Sequence, residues 1–335
     1  MQYLRNIKVT LCAKCNLLDR GVKMSALIII GNGFDLAHGM PTRYSDFRKY
    51  LISCYPDIAE YKNYQFDLKD FIDLPEDEFA AELLLSTMDL ANGEEWYNFE
   101  DALGKIDFSY KFPKFTGDED SETHDKEMQD YILAIDIISN CIIHSTKRWQ
   151  DLFRRWIRSV ETGLESNTYM PKDSLKELFS DPTNKYFTFN YTKTLQILYG
   201  VKKVTHIHNR VGQNLIFGHP YTDIMYGELS ENFLGIGSSF LDDMVMSFRK
   251  DTASPVKKYK DFFKSLDHTV NQIYSYGFSY SPVDKIYIKM IIEKISPNAI
   301  WYFTEHDAAD KEGLRIKKVK LRNYGFKGSF GIYSG

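Results

Sequence analysis

Ala26-Leu27-Ile28-Ile29-Ile30-Gly31-Asn32-Gly33 decides the fold class. Five apolar residues in a row, closed by two glycines, read as a strand covered on both faces, as strands of a parallel sheet are. The chain then turns sharply. Apolar residues at Tyr44, Phe47, Leu51 and Cys54 predict a helix over 44–54, with Thr42 or Ser45 available to cap its start. Phe79, Leu83 and Leu90 predict another over 78–91. From Asp125 to about Glu165, Met128, Ile132, Ile135, Ile138, Ile142, Trp149, Phe153, Trp156 and Val160 keep helical spacing, so this stretch is a helical block.

Beyond Pro182 the composition turns to short β-rich runs: Tyr186–Phe189, Val204–Ile207, Leu215–Phe217, Ile273–Tyr276, Ala299–Phe303 and Ile316–Leu321. A helix over Asp284–Lys294 separates two of them. The expected architecture is therefore α/β: a Rossmann-like open, mostly parallel sheet with a large helical insertion after the first βα unit. Residues 24–56 form that unit, 57–182 the insertion and 183–335 the remainder of the sheet domain. Residues 1–23 show no packing periodicity and read as an extension ahead of Met24, a candidate natural start.

The chain has 335 residues, with 42 Lys and Arg against 46 Asp and Glu, a net charge of −4. That balance offers no basic field for a polyanion and disfavours nucleic-acid binding. No apolar run reaches the ~20 residues of a membrane span, and the head of the chain lacks the apolar core of a secretory signal. A cytoplasmic location is expected. Cys12, Cys15, Cys54 and Cys141 are too few and scattered for a disulfide framework. The single Cys12-x-x-Cys15 pair lacks the second half of a zinc site, and the acidic run Gly117–Glu122 reads as a solvated loop. No metal is expected.

A glycine turn at the carboxyl end of a parallel strand is where nucleotide phosphates commonly bind. Leu36 stands where a dinucleotide fingerprint needs its third glycine, so the motif is not the ordinary one. The longer string Gly31-Asn32-Gly33-Phe34-Asp35-Leu36-Ala37-His38-Gly39-Met40-Pro41 is more specific. It resembles the sirtuin NAD-binding loop, in which Gly-x-Gly is followed at this spacing by Gly-hydrophobic-Pro. Extended through Thr42-Arg43-Tyr44-Ser45-Asp46-Phe47, it also resembles the opening of the bacteriophage abortive-infection AbiH family.

Three later segments fit the combined resemblance. Phe187-Thr188-Phe189-Asn190-Tyr191-Thr192 stands where sirtuin-like enzymes carry Thr-x-Asn-x-Asp, with Thr192 replacing the aspartate. His206-Ile207-His208-Asn209 stands where they end a strand with a catalytic His-Gly. Asn209 replaces that glycine, and asparagine tolerates positive φ well enough to keep the turn. Tyr276-Gly277-Phe278-Ser279-Tyr280-Ser281-Pro282-Val283-Asp284 resembles a late cofactor-contacting loop, while Glu95-Trp96-Tyr97-Asn98-Phe99-Glu100 in the insertion matches loosely. The absence of cysteine beyond Cys141 removes the zinc module of sirtuin deacetylases, so protein deacetylation is disfavoured.

The resemblance implies an anti-phage protein that binds, and as an NAD glycohydrolase would cleave, NAD or a related nucleotide. It implies that Asn190 and His208 are catalytic. Gly31, Asn32, Gly33, Phe34, Asp35, Gly39, Pro41, Thr188, Gly277, Ser279 and Asp284 would hold the nucleotide. Such an enzyme must be silent before infection, which implies a phage-derived trigger, an inhibitory partner or a homo-oligomer. Chemically, an amide can fix ribose and water together, and a neutral imidazole can accept the water's proton near pH 7.

Other readings of the same residues stand beside this one. Asn190 could simply close a turn. His206 and His208, two apart on a strand, could face one way as a metal pair, though no third ligand of zinc-site spacing accompanies them beyond His219. Asp35 reads as a helix cap before a ribose ligand. Two other functions remain open: a nucleotide-sensing module without turnover, and a metal-dependent nuclease built on Asp35, His38 and neighbouring carboxylates.

Overall fold

A computed structural model describes residues 25–59, 75–108, 111–113, 123–222 and 238–335. Strand β1 (Ser25–Ile30) is central in a sheet of six strands. β2 (Lys185–Thr188) and β3 (Thr205–His206) lie to one side of it, and β4 (Val270–Tyr276), β5 (Ile300–Thr304) and β6 (Ser329–Tyr333) to the other. Every pairing is parallel, in the order β3-β2-β1-β4-β5-β6. The α/β class and the open parallel sheet are as the sequence predicts.

Leu27, Ile28, Ile29 and Ile30 are almost wholly buried because each face of β1 has its own core. Leu27 and Ile29 join Ile273, Ile288 and Trp301 on one side, whereas Ile28 and Ile30 join Phe34, Phe179 and Tyr276 on the other. Alternate side chains of a strand point to opposite faces, so an uninterrupted apolar run is what a doubly covered strand requires.

Helices α1 (Gly33–Ala37) and α2 (Tyr44–Cys54) follow β1 directly. Neither Thr42 nor Ser45 caps α2; the Asp46 carboxylate instead reaches back to accept from Arg43 N at 2.9 Å. Helices α3 (Glu76–Asn92), α4 (Phe99–Ala102) and the 42-residue α5 (His124–Glu165) occupy the region of the expected insertion. Their shared core is aromatic: Phe47, Trp96, Phe99, Trp149, Phe153 and Trp156 pack in one cluster. Helix α6 (Asp173–Ser180) leads into β2, α7 (Thr194–Tyr199) joins β2 to β3, and α8 (Ser238–Ser247), α9 (Ala253–Lys258) and α10 (Lys260–Ser265) precede β4. Helix α11 (Lys285–Ile292) crosses from β4 to β5; α12 (Glu305–Ala309) and α13 (Lys311–Asn323) cross to β6.

Two strand expectations need correction, and one strand is unexpected. Ile316–Leu321 is helical, inside α13; the Asp310 carboxylate accepts from Gly313 N at 2.9 Å and starts a helix whose one buried residue is Leu321. Leu215–Phe217 joins no strand: Leu215 and Phe217 are apolar because they pack into the helical core, and Ile216 N bonds singly to His208 O. The last strand is instead β6, hidden in the sequence by Gly331, where a Cβ would lie 2.6 Å from the Tyr302 ring on β5. Cys12, Cys15 and the whole acidic run at 117–122 lie outside the described residues. Among the described residues, no helix is long and apolar enough to cross a membrane.

Candidate functional site

Strand order reverses between β1 and β4, and such a switch point opens a crevice at the carboxyl ends of the strands. A cavity of about 550 Å³ lies there, within the usual range for small-ligand sites. Its floor comes from the loops after β1, β2, β3 and β4, and its roof from the insertion, through residues 95–101 and Phe153, Trp156 and Ile157 of α5.

The two glycine loops fit because neither carries a side chain at the contact. Gly31 N donates to Tyr276 O and Gly33 N to Gly277 O, each at 2.9 Å. A Cβ on Gly31 would stand 2.6 Å from Phe278 Cα, and one on Gly33 the same distance from Gly277 Cα. These two amides therefore join loop to loop, and the glycines serve that close approach before any ligand.

Asn190 follows β2, its backbone N held by Thr188 Oγ1 at 3.0 Å. Its Nδ2 is buried without a hydrogen-bond partner, although it lies near enough to Asp35 to act on that carboxyl's titration. A buried amide nitrogen left unbonded is costly unless a ligand or water takes its protons. Beside it Asp35, from α1, accepts from Thr192 Oγ1 at 2.5 Å and from Thr194 Oγ1 at 2.7 Å. Burial pushes the Asp35 carboxyl up to about 6, against the lowering effect of the two hydroxyls. Asp35 is thus no helix cap: its side chain crosses to the β2 loop.

His208 sits one turn beyond β3. Its Nε2 is 2.9 Å from Asp284 Oδ1, and since a carboxylate only accepts, Nε2 carries the proton and Nδ1 is the ring's acceptor. Burial alone would raise the Asp284 carboxyl, but the Lys250 ammonium and His208 outweigh it and hold it below its ordinary value. Lys250 Nζ lies 3.3 Å from Asp284 Oδ1 and 3.0 Å from Glu100 Oε1, and these two carboxylates raise its pKa against a larger burial effect.

Nine expected site residues line this one cavity: Asn190, His208, Gly31, Asn32, Gly33, Asp35, Gly277, Ser279 and Asp284. Phe34, Gly39, Pro41 and Thr188 do not line it. Phe34 is core, against Phe179 and Tyr276; Gly39 and Pro41 lie in the turn after α1, where Gly39 takes φ 78°; Thr188 is buried behind Asn190. Asn209 takes φ 63°, as expected for a residue standing in for glycine.

His206 and His208 do not face one way. β3 ends at His206, whose Nδ1 meets Asn190 O at 3.0 Å and whose Nε2 meets Gln196 at 2.7 Å, while His208 turns to Asp284. His38 is likewise turned from Asp35, bonding Phe34 O and Tyr199 OH at 2.7 Å each, and His219 is fixed by Val245 O. Among the described residues no three His, Cys, Asp or Glu side chains cluster as a metal centre would need.

Sequence reasoning missed Lys250, Thr194 and Tyr44, and gave Glu100 no role. Lys250 carries no signal: within the charged run Arg249-Lys250-Asp251, 34 residues before Asp284, it reads as surface. Glu100 closes a segment that matches only loosely.

A family model described as "Bacteriophage abortive infection AbiH" matches residues 27–305. No curated protein and no solved structure matches the chain.

Proposed function

The chain belongs to the bacteriophage abortive infection AbiH family, and we propose that it serves that role by binding NAD or a related nucleotide and hydrolysing the bond between nicotinamide and ribose. The observation that carries this reading is the meeting of Asn190 and the Asp284-held His208 in one cavity at the switch point. Fit supports it. The unbonded Asn190 Nδ2 has the donor a ribose oxygen would accept, the glycine loops leave the crevice open, and the aromatic roof at Trp96, Phe99 and Trp156 suits a flat base.

The chemistry asks little acid help. Nicotinamide leaves as a neutral base, taking the electron pair of the broken C–N bond, and the sugar carbon is left cationic. Water adds to that carbon through its oxygen, and its proton passes to Nδ1 of His208, the ring nitrogen Asp284 leaves free. Asn190 orients ribose and water, and water exclusion by the insertion strengthens each of these contacts.

Sirtuin-like enzymes, by the resemblance, place an aspartate at position 192. Here Thr192 stands there, yet its hydroxyl holds the Asp35 carboxylate at the same floor. A carboxylate delivered from the β1 loop instead of the β2 loop supports turnover over mere sensing. Such an activity would need a trigger or a change of assembly to release it, and the insertion, which roofs the site, is where that contact would act. Incubating the purified protein with NAD and measuring free nicotinamide tests the reading: release supports it, and tight binding without release under any trigger would leave a sensor in its place.

A further inference from the structure

Four charged or titratable groups from four distant segments meet beside the cavity: Glu100, His208 and Asp284 line it, and Lys250 pairs with two of them without lining it. Glu100 comes from α4 of the insertion, His208 from the turn after β3, Lys250 from the segment after α8, and Asp284 from the loop after β4. The Lys250 side chain has no exposed surface, and Asp284 and Glu100 are its two anionic partners at 3.3 and 3.0 Å. A buried ammonium of this kind is strongly destabilising unless paired, so the chain holds it for something more than solubility.

We propose that Glu100 and Lys250 are positioning residues for His208, and that the helical insertion, by supplying Glu100, completes the base. The inference rests on the proposed activity only for the reaction the base serves. The geometry works in sequence. Lys250 fixes the Asp284 carboxylate; Asp284 accepts the hydrogen bond from Nε2–H of His208 and so sets its tautomer; Nδ1 is then the proton acceptor. Charge works with it. Asp284 and Glu100 against Lys250 leave one negative charge in excess, and a proton arriving on His208 cancels it. The other groups around the ring do not titrate nearby: Tyr191 and Tyr287 pack on it, Tyr44 lies near Glu100 and Asp284, and burial above all raises the pKa of each of these phenols. Asp251, near Tyr287, is the remaining carboxylate and is held ionised by hydrogen bonds to Ser254.

The test reads the histidine itself, so it does not depend on turnover. Nitrogen-15 resonances of His208, assigned by loss in His208→Gln, give its tautomer and its titration midpoint. Removing an anion disfavours the imidazolium and removing a cation favours it. Glu100→Gln should therefore move the midpoint to lower pH and Lys250→Met to higher pH, each by about half a unit or more. Wild-type His208 should show Nε2 protonated. Unmoved midpoints, or both moving the same way, would overturn the proposal. If Lys250→Met does not fold, the nearly isosteric Glu100→Gln decides alone. Opposite shifts in a protein that never releases nicotinamide would keep the relay and remove the proposed substrate.

Discussion

Gly33 and Gly277 meet backbone to backbone: Gly33 N donates to Gly277 O at 2.9 Å, and a Cβ on Gly277 would fall 2.4 Å from Gly33 Cα. Gly277 also sits at φ 63°, where side chains are strained. The crevice exists because these two loops touch without side chains between them. Gly277→Ala should therefore cost about 2–4 kcal/mol, combining strain with a backbone collision that cannot be relieved by rotating a side chain. Denaturant unfolding measures this, and a variant within about 0.5 kcal/mol of wild type would contradict the packing described.

Asp35 should reveal itself through pH. Its carboxyl is raised from 3.8 to about 6, so the folded chain holds this proton more tightly than the unfolded chain. The ionised carboxylate thus destabilises the fold fully above about pH 6, less as pH falls from there, and not at all below pH 3.8. At about 1.4 kcal/mol per unit the effect is about 3 kcal/mol. Asp35→Asn should gain stability relative to wild type between pH 4 and pH 7 by an amount of that order. A difference that stays flat across this range would show that the carboxyl is not held as described.

His206 works in the opposite sense. Burial first, and neighbouring positive charges after it, lower its pKa to about 4 against the helpful bond to Asn190 O. The unfolded chain takes up this proton more readily, so the stability His206 contributes is full above pH 6.5 and is lost as pH falls towards 4. In that window Asp35 and His206 nearly offset each other. Asp35→Asn, more stable than wild type at pH 7, should accordingly lose melting temperature as pH falls towards 4, a trend that Asp35 masks in wild type, and adding His206→Gln should flatten the profile. Thermal melts at pH 4.5, 5.5 and 7 would show whether the two trends separate.

Much of this was legible in the sequence, for identifiable reasons. β1 announced itself because both its faces are buried, and α5 because its apolar spacing runs unbroken. Asn190 and His208 were reached by order and resemblance, and geometry then joined them. What sequence could not give is long-range charge. Lys250 and Glu100 are 150 residues apart, and only the fold makes them partners. Ile316–Leu321 misled because Ile316, Val319 and Leu321, spaced by lysines, look like a strand, whereas Asp310 upstream starts a helix there. Gly331 concealed β6 because a glycine normally weakens a strand, and here the Tyr302 ring requires one.

Release of nicotinamide from NAD by wild type, Asn190→Ala and His208→Ala, each confirmed folded by thermal melt, decides the functional account. Wild type should release nicotinamide, and each variant should lose about 10²-fold to 10⁴-fold in rate, the range that a positioned base or an orienting amide supplies. Equal rates in all three proteins would contradict it.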